Sequence, residues 1–443
     1  MTQRSPLPAA LLLAALAWPA TAAAQDAQYW TYGYGPVGQL TEGTLVGGVS
    51  DLSATYYNPG ALALIDEPRF LFGLTSVEAA TIEAKDAAGR NLDFDSFVFD
   101  VVPAMVAGHI GKDDGRSDHF AFAFLSRHDT DWDLGFSDTR VAAQVTDAVA
   151  GFGRVRQRLV EYWVGGTWSH RVSDRLAFGV SPFFSFRSQR SRRSLTQESL
   201  AGGAVSVAFV GREHEYNHMG LLAKAGVAWR PGRWELGATV TTPRVGIWGS
   251  GKVAFNATAA GDSSFLSAST QEGLDATFHS PWSAAGGASW RGESTVVHTT
   301  VEWFSAVDPY EILSPEPAPV AGSTSTVPLT FVGAATSVVN FGVGLEQRLS
   351  DRFTLYGGAA RNASSWRLES ETLASWDLVD VTAGVSFARR RGRLALGVGY
   401  AWGIQDVPQT VAPPGLDGTR PTTEAKFSRW TISIAASVNG GGR

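Results

Sequence analysis

Arg393-Leu-Ala-Leu-Gly-Val-Gly-Tyr-Ala-Trp402 is the stretch whose reading decides the fold. Side chains alternate between the two faces of a strand. Leu394, Leu396, Val398, Tyr400 and Trp402 therefore share one face, and Ala395, Gly397, Gly399 and Ala401 share the other. The bulky face ends in Tyr and Trp. The same two-residue period recurs along the chain. Val379, Val381, Ala383, Val385 and Phe387 oppose Asp380, Thr382, Gly384 and Ser386. Val339, Phe341, Val343 and Leu345 oppose Asn340, Gly342 and Gly344. Trp430, Ile432, Ile434, Ala436 and Val438 oppose Thr431, Ser433, Ala435 and Ser437, and Phe120, Phe122 and Phe124 repeat the motif. In bulk water the second face would be dominated by Lys and Glu, yet here it is rich in Gly, Ala, Ser and Thr. A bulky outer face closed by aromatic residues suits lipid.

The connections between these strands alternate in length. Residues 112–118, 172–175, 231–233, 291–294, 350–352 and 390–392 are tight and polar. Between them lie long polar stretches at 83–95, 134–157, 189–217, 250–275, 309–336, 364–376 and 403–424. Short turns on one side and long loops on the other is the arrangement of an outer-membrane barrel, with the turns periplasmic. The pattern predicts an all-β fold, a transmembrane antiparallel β-barrel of about 14 strands, an even number that returns the C-terminus to the side where the first strand begins.

Composition agrees. Charged residues make up 18% of the chain and aromatics 11%, with 49 glycines; an ordinary soluble domain carries nearer ~25% charge. Arg4, the apolar run 11–17 and Ala22-Ala23-Ala24 read as a secretory signal peptide over residues 1–24. Losing Arg4 takes the net charge from −6 to −7. That balance argues against nucleic acid as a partner. There is no cysteine, so neither disulfides nor thiolate chemistry operate. The expected location is the outer membrane of a Gram-negative bacterium. The expected organisation is a signal peptide at 1–24, a plug at 25–66 and a barrel at 67–443.

The plug is read from Asp51-Leu-Ser-Ala-Thr-Tyr-Tyr-Asn-Pro-Gly-Ala-Leu-Ala-Leu-Ile65. Asn58-Pro59 and Pro59-Gly60 both favour a turn, and Pro59 pushes Asn58 out of helical geometry. A surface turn fits these residues, and so does a turn packed among small residues inside a lumen. In a barrel of this strand number, Asp51, Ser53, Tyr56, Tyr57, Asn58 and Pro59 resemble the hatch motif of the FadL/TodX-type outer-membrane transporters of long-chain fatty acids and other hydrophobic molecules. Gly60 stands where that family usually has Ala, which loosens the backbone. The resemblance implies passive transport by a monomer: ligand collected by the loops, an apolar pocket, and lateral exit through a kinked third strand. That strand would span about residues 119–133, with its kink at Ser126, Arg127 and His128, where the apolar alternation fails.

Other candidates have two readings each. Tyr29, Trp30, Tyr32 and Tyr34 line an acyl-chain pocket or pack against the wall. Arg187, Arg190, Arg192 and Arg193 catch a fatty-acid carboxylate, or they meet lipopolysaccharide phosphates or solvent among the outer-membrane lipids. His298 and Glu302 share an inward face roughly 13 Å apart, a spacing that suits a polar lumen lining rather than a metal site. No Gly-x-Ser-x-Gly or phosphate-binding loop occurs, so neither an enzyme nor a cofactor is expected. Two further classes remain: an aqueous diffusion porin, and a structural or adhesive surface barrel.

Overall fold

The computed structural model describes residues 28–65, 69–84, 94–102, 104–111, 116–141, 148–201, 204–261, 264–365, 376–390, 392–408 and 422–438. The expected signal peptide lies outside these residues. Fourteen antiparallel strands close into one barrel. They are β1 (Phe70–Ala84), β2 (Phe94–Val102, then Met105–Ile110), β3 (Asp118–Val141), β4 (Ala148–Ser173), β5 (Leu176–Ala201) and β6 (Ala204–Trp229). There follow β7 (Trp234–Thr241, then Val245–Ala260), β8 (Phe265–Asp275, then Ser283–Arg291), β9 (Thr295–Phe304) and β10 (Val338–Arg348). The series ends with β11 (Phe353–Asn362), β12 (Leu378–Arg389), β13 (Gly392–Pro408) and β14 (Thr422–Val438). Pairing of β1 with β14, from Phe70–Val438 to Ala84–Ala425, closes the ring and removes the open edges.

The alternation places side chains as the sequence implies. Leu394, Leu396, Val398 and Trp402 are exposed on the outer face while Ala395 and Ala401 are buried inside. Exposed Trp229, Trp234, Trp290 and Phe353 cluster near the short turns, and Trp248, Trp282, Trp303 and Trp430 lie further up their strands. Two aromatic rings bounding an apolar band are the lipid-facing signature of a membrane barrel.

One expectation is overturned. Among the described residues, 134–157, 189–217 and 250–275 are mostly strand, because β3 to β8 run on well past the apolar band. The two-residue period continues there with charge in place of hydrocarbon. Arg156 of β4 faces Asp131 of β3 at 3.4 Å, and Arg190 of β5 faces Glu213 of β6 at 2.6 Å. Cross-strand pairs of opposite charge support a ladder in water, so polarity alone did not mark a loop. The expected loop 309–336 likewise carries a ladder, with Val307–Leu313 paired to Phe331–Ala335.

The N-terminal residues 28–65 pack against the inward faces of the strands. Tyr34, Leu40, Leu45, Leu52, Tyr57, Leu62 and Leu64 are buried in one cluster with wall residues such as Leu71, Met105 and Phe183. Each such side chain contributes roughly 1.5–3 kcal/mol by leaving water. The small inward face of the wall is what admits them. A Cβ at Gly179 would strike the Pro59 carbonyl, one at Gly226 the Asn58 amide, one at Gly344 Thr44, and one at Gly397 Leu40. Gly60 answers from the other side, since a Cβ there would sit 2.7 Å from Gly226 O. Its lost side chain serves close approach to the wall rather than looseness.

Candidate ligand site in the lumen

The Asn58-Pro59 turn fixes the segment. The Asn58 side chain accepts from Gly60 N at 3.1 Å and donates to Val46 O and to Val227 O of β6, both at 2.9 Å. It thus ties its own turn, the preceding loop of the N-terminal segment and the wall. Asp51 accepts from Ser53 N at 2.8 Å and opens the helical turn Ala54–Tyr57. Burial raises the Asp51 carboxyl above the usual carboxylate range, and the Ser53 hydrogen bonds oppose that rise. Ser169 donates to Gly60 O at 3.0 Å, Arg171 to Ala63 O at 2.7 Å and Ser181 to Thr55 O at 2.8 Å, so β4 and β5 hold the rest.

Above the turn lies a cavity of about 820 Å³, including its open mouth. Its apolar lining includes Tyr29, Tyr56, Trp163, Leu222, Phe278 and Phe304. Small-molecule sites are likewise largely apolar with few placed polar groups. A second cavity of about 570 Å³ shares Tyr56, Lys224 and Glu302 with it, and a third of about 400 Å³ continues past Tyr32, Glu42 and Arg429.

Among the charged groups lining the first cavity, Arg127, Lys224 and Arg244 outnumber Glu161 and Glu302. Glu161 accepts from Arg187 at 2.8 Å, from Trp163 Nε1 at 2.7 Å, and from Arg244. The Phe278 ring stacks on both guanidiniums, at 4.1 Å from Arg187 and 4.7 Å from Arg244. Arg244 Nε and Nη1 have no hydrogen-bond partner among the described residues. Lys224 is buried with its ammonium 4.7 Å from the Tyr56 ring centre. The cavity therefore presents Lys224 and part of Arg244 to whatever enters it.

Arg127 joins three of the sequence candidates. The register of β3 against β4 shifts between Ser126 and His128, so Arg127 is the extra residue of a β-bulge. Its guanidinium donates to Tyr56 Oη at 2.7 Å, to Tyr34 Oη at 3.3 Å and to Tyr29 O at 2.8 Å. Tyr34 Oη donates to Ser126 O at 2.7 Å, and the Tyr32 hydroxyl donates to Asp129 O at 3.0 Å. Burial raises the Tyr34 and Tyr56 pKa values, with Arg127 opposing, so both hydroxyls remain protonated. Beside the bulge the wall itself is interrupted. β2 and β3 pair from Met105–Leu125 to Ile110–Phe120 and meet again at Asp95–Gly135.

The remaining candidates separate. Tyr29 lines the first cavity, Trp30 and Tyr32 line the second, and Tyr34 is buried in the core. Arg187 points into the lumen, whereas Arg190 and Arg192 point outward toward Glu213, as strand alternation requires. Arg193 turns the opposite way from Arg192 and is half-buried. His298 is bonded to Ser289 at 2.7 Å and Glu346 at 2.8 Å, while Glu302 accepts from Trp30 at 2.7 Å and Ser283 at 2.8 Å. Sequence reading missed Glu161, Lys224 and Arg244. Charged residues at inward positions of apolar strands were the available signal.

No family model and no curated protein sequence matches the chain. Solved structures do. The toluene transporter TodX of Pseudomonas putida superposes with a TM-score of 0.60 at 14% identity, covering 93% of this chain and 99% of its own. A FadL homologue of Pseudomonas aeruginosa gives 0.57 at 12%, covering 93% and 100%. The fold is the FadL/TodX fold. The toluene transporter TbuX of Ralstonia pickettii shares it, with a TM-score of 0.55 at 14% identity over 92% of this chain and 99% of its own.

Proposed function

We propose that this protein carries hydrophobic small molecules passively across the outer membrane of a Gram-negative bacterium, and that its preferred ligands are long-chain fatty acids. It works as a monomer among outer-membrane lipids, lipopolysaccharide included. Residues 28–65 act as the hatch. The observation that carries the reading is the aromatic lumen cavity containing buried Lys224 and Arg244. An acyl chain fills the apolar wall, and its carboxylate meets Lys224 and the Arg244 donors that Glu161 leaves unpaired. Arg127 links that cavity to the hatch motif through Tyr56, so ligand displacing the Tyr56 ring also disturbs the clasp at the β3 bulge. The interruption between β2 and β3 is then the lateral exit. No catalytic constellation enters this account.

The test is thermal unfolding of the purified full chain with a long-chain fatty acid, its methyl ester and toluene. The acid raises the midpoint most, the ester binds about tenfold more weakly, and Lys224→Met removes the difference. A second reading, uncharged aromatic hydrocarbons, is favoured by the names of the TodX and TbuX neighbours. It holds if toluene stabilises at least as well as the acid and Lys224→Met changes nothing.

A further inference from the structure

β7 and β8 are laddered at both ends and not in the middle. Pairing runs from Trp234–Trp290 to Thr241–Ser283, and resumes from Ser250–Asp275 to Ala259–Phe265. Between these limits, residues 242–249 face residues 276–282. Each side is satisfied on its other edge. Val245, Gly246 and Trp248 pair with Leu221, Gly220 and Met219 of β6. On the β8 side, Thr277 N donates to Ile312 O at 3.0 Å, His279 N to Tyr310 Oη at 3.1 Å, and Ser305 N to Trp282 O at 3.0 Å. Across the break Arg244 N donates to Ser280 Oγ at 2.8 Å.

This break abuts the ligand cavity, since Thr242, Arg244, Phe278 and Ser280 line it. Outside, Val245, Ile247, Trp248 and Trp282 are exposed, and the two tryptophans belong to the upper aromatic ring. The break is therefore level with the outer-leaflet interface. The barrel mouth over this flank is covered: Leu313, Leu329 and Phe331 of the 305–337 connection are buried against Tyr216, Val253 and Phe255. Arg127, at the β3 bulge, lines the far side of the same cavity.

We propose that the gap between β7 and β8 is a lateral entrance, through which an apolar carboxylate already dissolved in the outer leaflet slides into the cavity. The inference rests on the ligand-cavity reading above. Every methylene favours bilayer over water, so a long-chain acid is concentrated beside this gap rather than at the covered mouth. Its carboxylate lies at the interface, level with Arg244, and its chain follows across Phe278. The Arg244–Ser280 hydrogen bond is the latch, and a single hydrogen bond is readily exchanged. The cavity then joins two wall breaks, entrance at β7/β8 and exit at β2/β3.

The chain has no cysteine, so engineered thiols act alone. The full chain carrying Ser280→Cys is folded into phosphatidylcholine liposomes, with Thr242→Cys as the alternative from the opposite lip and Val227→Cys as a lipid-facing control. Each is reacted with N-dodecyl maleimide. Loading of a pyrene-labelled long-chain fatty acid, delivered from the bilayer or from water, is followed by energy transfer from tryptophan. The adduct at Ser280→Cys or Thr242→Cys slows loading from the bilayer about tenfold, while the adduct at Val227→Cys does not. Equal loading with and without the adduct in the gap overturns the entrance, and so does an equal slowing at Val227→Cys. If the unmodified protein loads from neither source, the ligand-cavity reading itself fails. If it loads from water and the gap adduct leaves bilayer loading unchanged, only the entrance fails.

Discussion

Arg127 and Asn58 carry the connection between the wall and the N-terminal segment. Arg127 gives up its place in the β3 ladder and spends its guanidinium on Tyr29, Tyr34 and Tyr56. Arg127→Met keeps the stem and removes the donors, at a cost of roughly 1.5–3 kcal/mol for hydrogen bonds from a charged group. The expected result is faster proteolysis within residues 28–34 and an unchanged unfolding midpoint for the barrel; equal proteolysis would show that the clasp is idle. Asn58→Asp is nearly isosteric but cannot donate to Val46 O and Val227 O, and it sets a carboxylate against both carbonyls. It should release the hatch more readily than Arg127→Met, read as loss of hydrogen-exchange protection at Gly60 and Ala61. Gly226→Ala should act in the same direction from the wall, because its Cβ occupies the space of the Asn58 amide.

At the scale of elements, the N-terminal segment meets β1, β12 and β14 through charge. Glu42 faces Asp380 of β12, Thr382 beside it, and Arg429 of β14, which in turn meets Glu78 of β1 at 3.8 Å and Asp380 at 3.3 Å. Tyr32 and Thr31 line the same cavity. Desolvation raises the Glu42 pKa, Asp380 raises it further, and Arg429 opposes. The docked segment therefore holds a proton that the released segment gives up above the ordinary carboxylate range, about pH 4.3. Docking is strongest below that value and weakens as pH rises through the raised pKa. Protease sensitivity of residues 28–65 should climb between pH 5 and pH 9 by that route, and Glu42→Gln should flatten the climb. An equal slope in the variant would assign it elsewhere.

The strands were legible because alternation survives a change of solvent on either face. Arg393 to Trp402 shows lipid on one side and lumen on the other without any alignment. The extensions of β3 to β6 were not, because Arg154, Arg156 and Arg158 replace hydrocarbon on the outer face and look like a polar loop until their partners Asp129, Asp131 and Asp133 are placed beside them. Of the four N-terminal aromatics read as pocket lining, only Tyr29 lines the first cavity, though Tyr56, Arg127, His128 and Glu302, singled out for other reasons, line it too. Lys224 and Arg244 come from separate strands, and nothing in either local stretch says that they converge. The wall glycines were visible as a small face, but only the packed segment shows that they are shaped to the hatch.

For the whole molecule, the proposed passage runs through the wall, segment and cavities, with the ladder interruptions at β2/β3 and β7/β8 among the described residues. Removing residues 28–65 empties the space below the first cavity. The truncated barrel should conduct ions in planar bilayers, while the full chain should be nearly silent. High conductance by the full chain would instead favour an aqueous porin. Loss of cell attachment on removing the 305–337 connection, with uptake intact, would favour an adhesive barrel.

The central claim is that the cationic, aromatic cavity conducts fatty acids, and it is met most directly by uptake of a fluorescent long-chain fatty acid into cells lacking their own transporter. Cells making the full chain should take it up faster than empty cells, and cells making Lys224→Met at equal barrel abundance should fall back toward the empty rate. Equal uptake by all three would contradict the account.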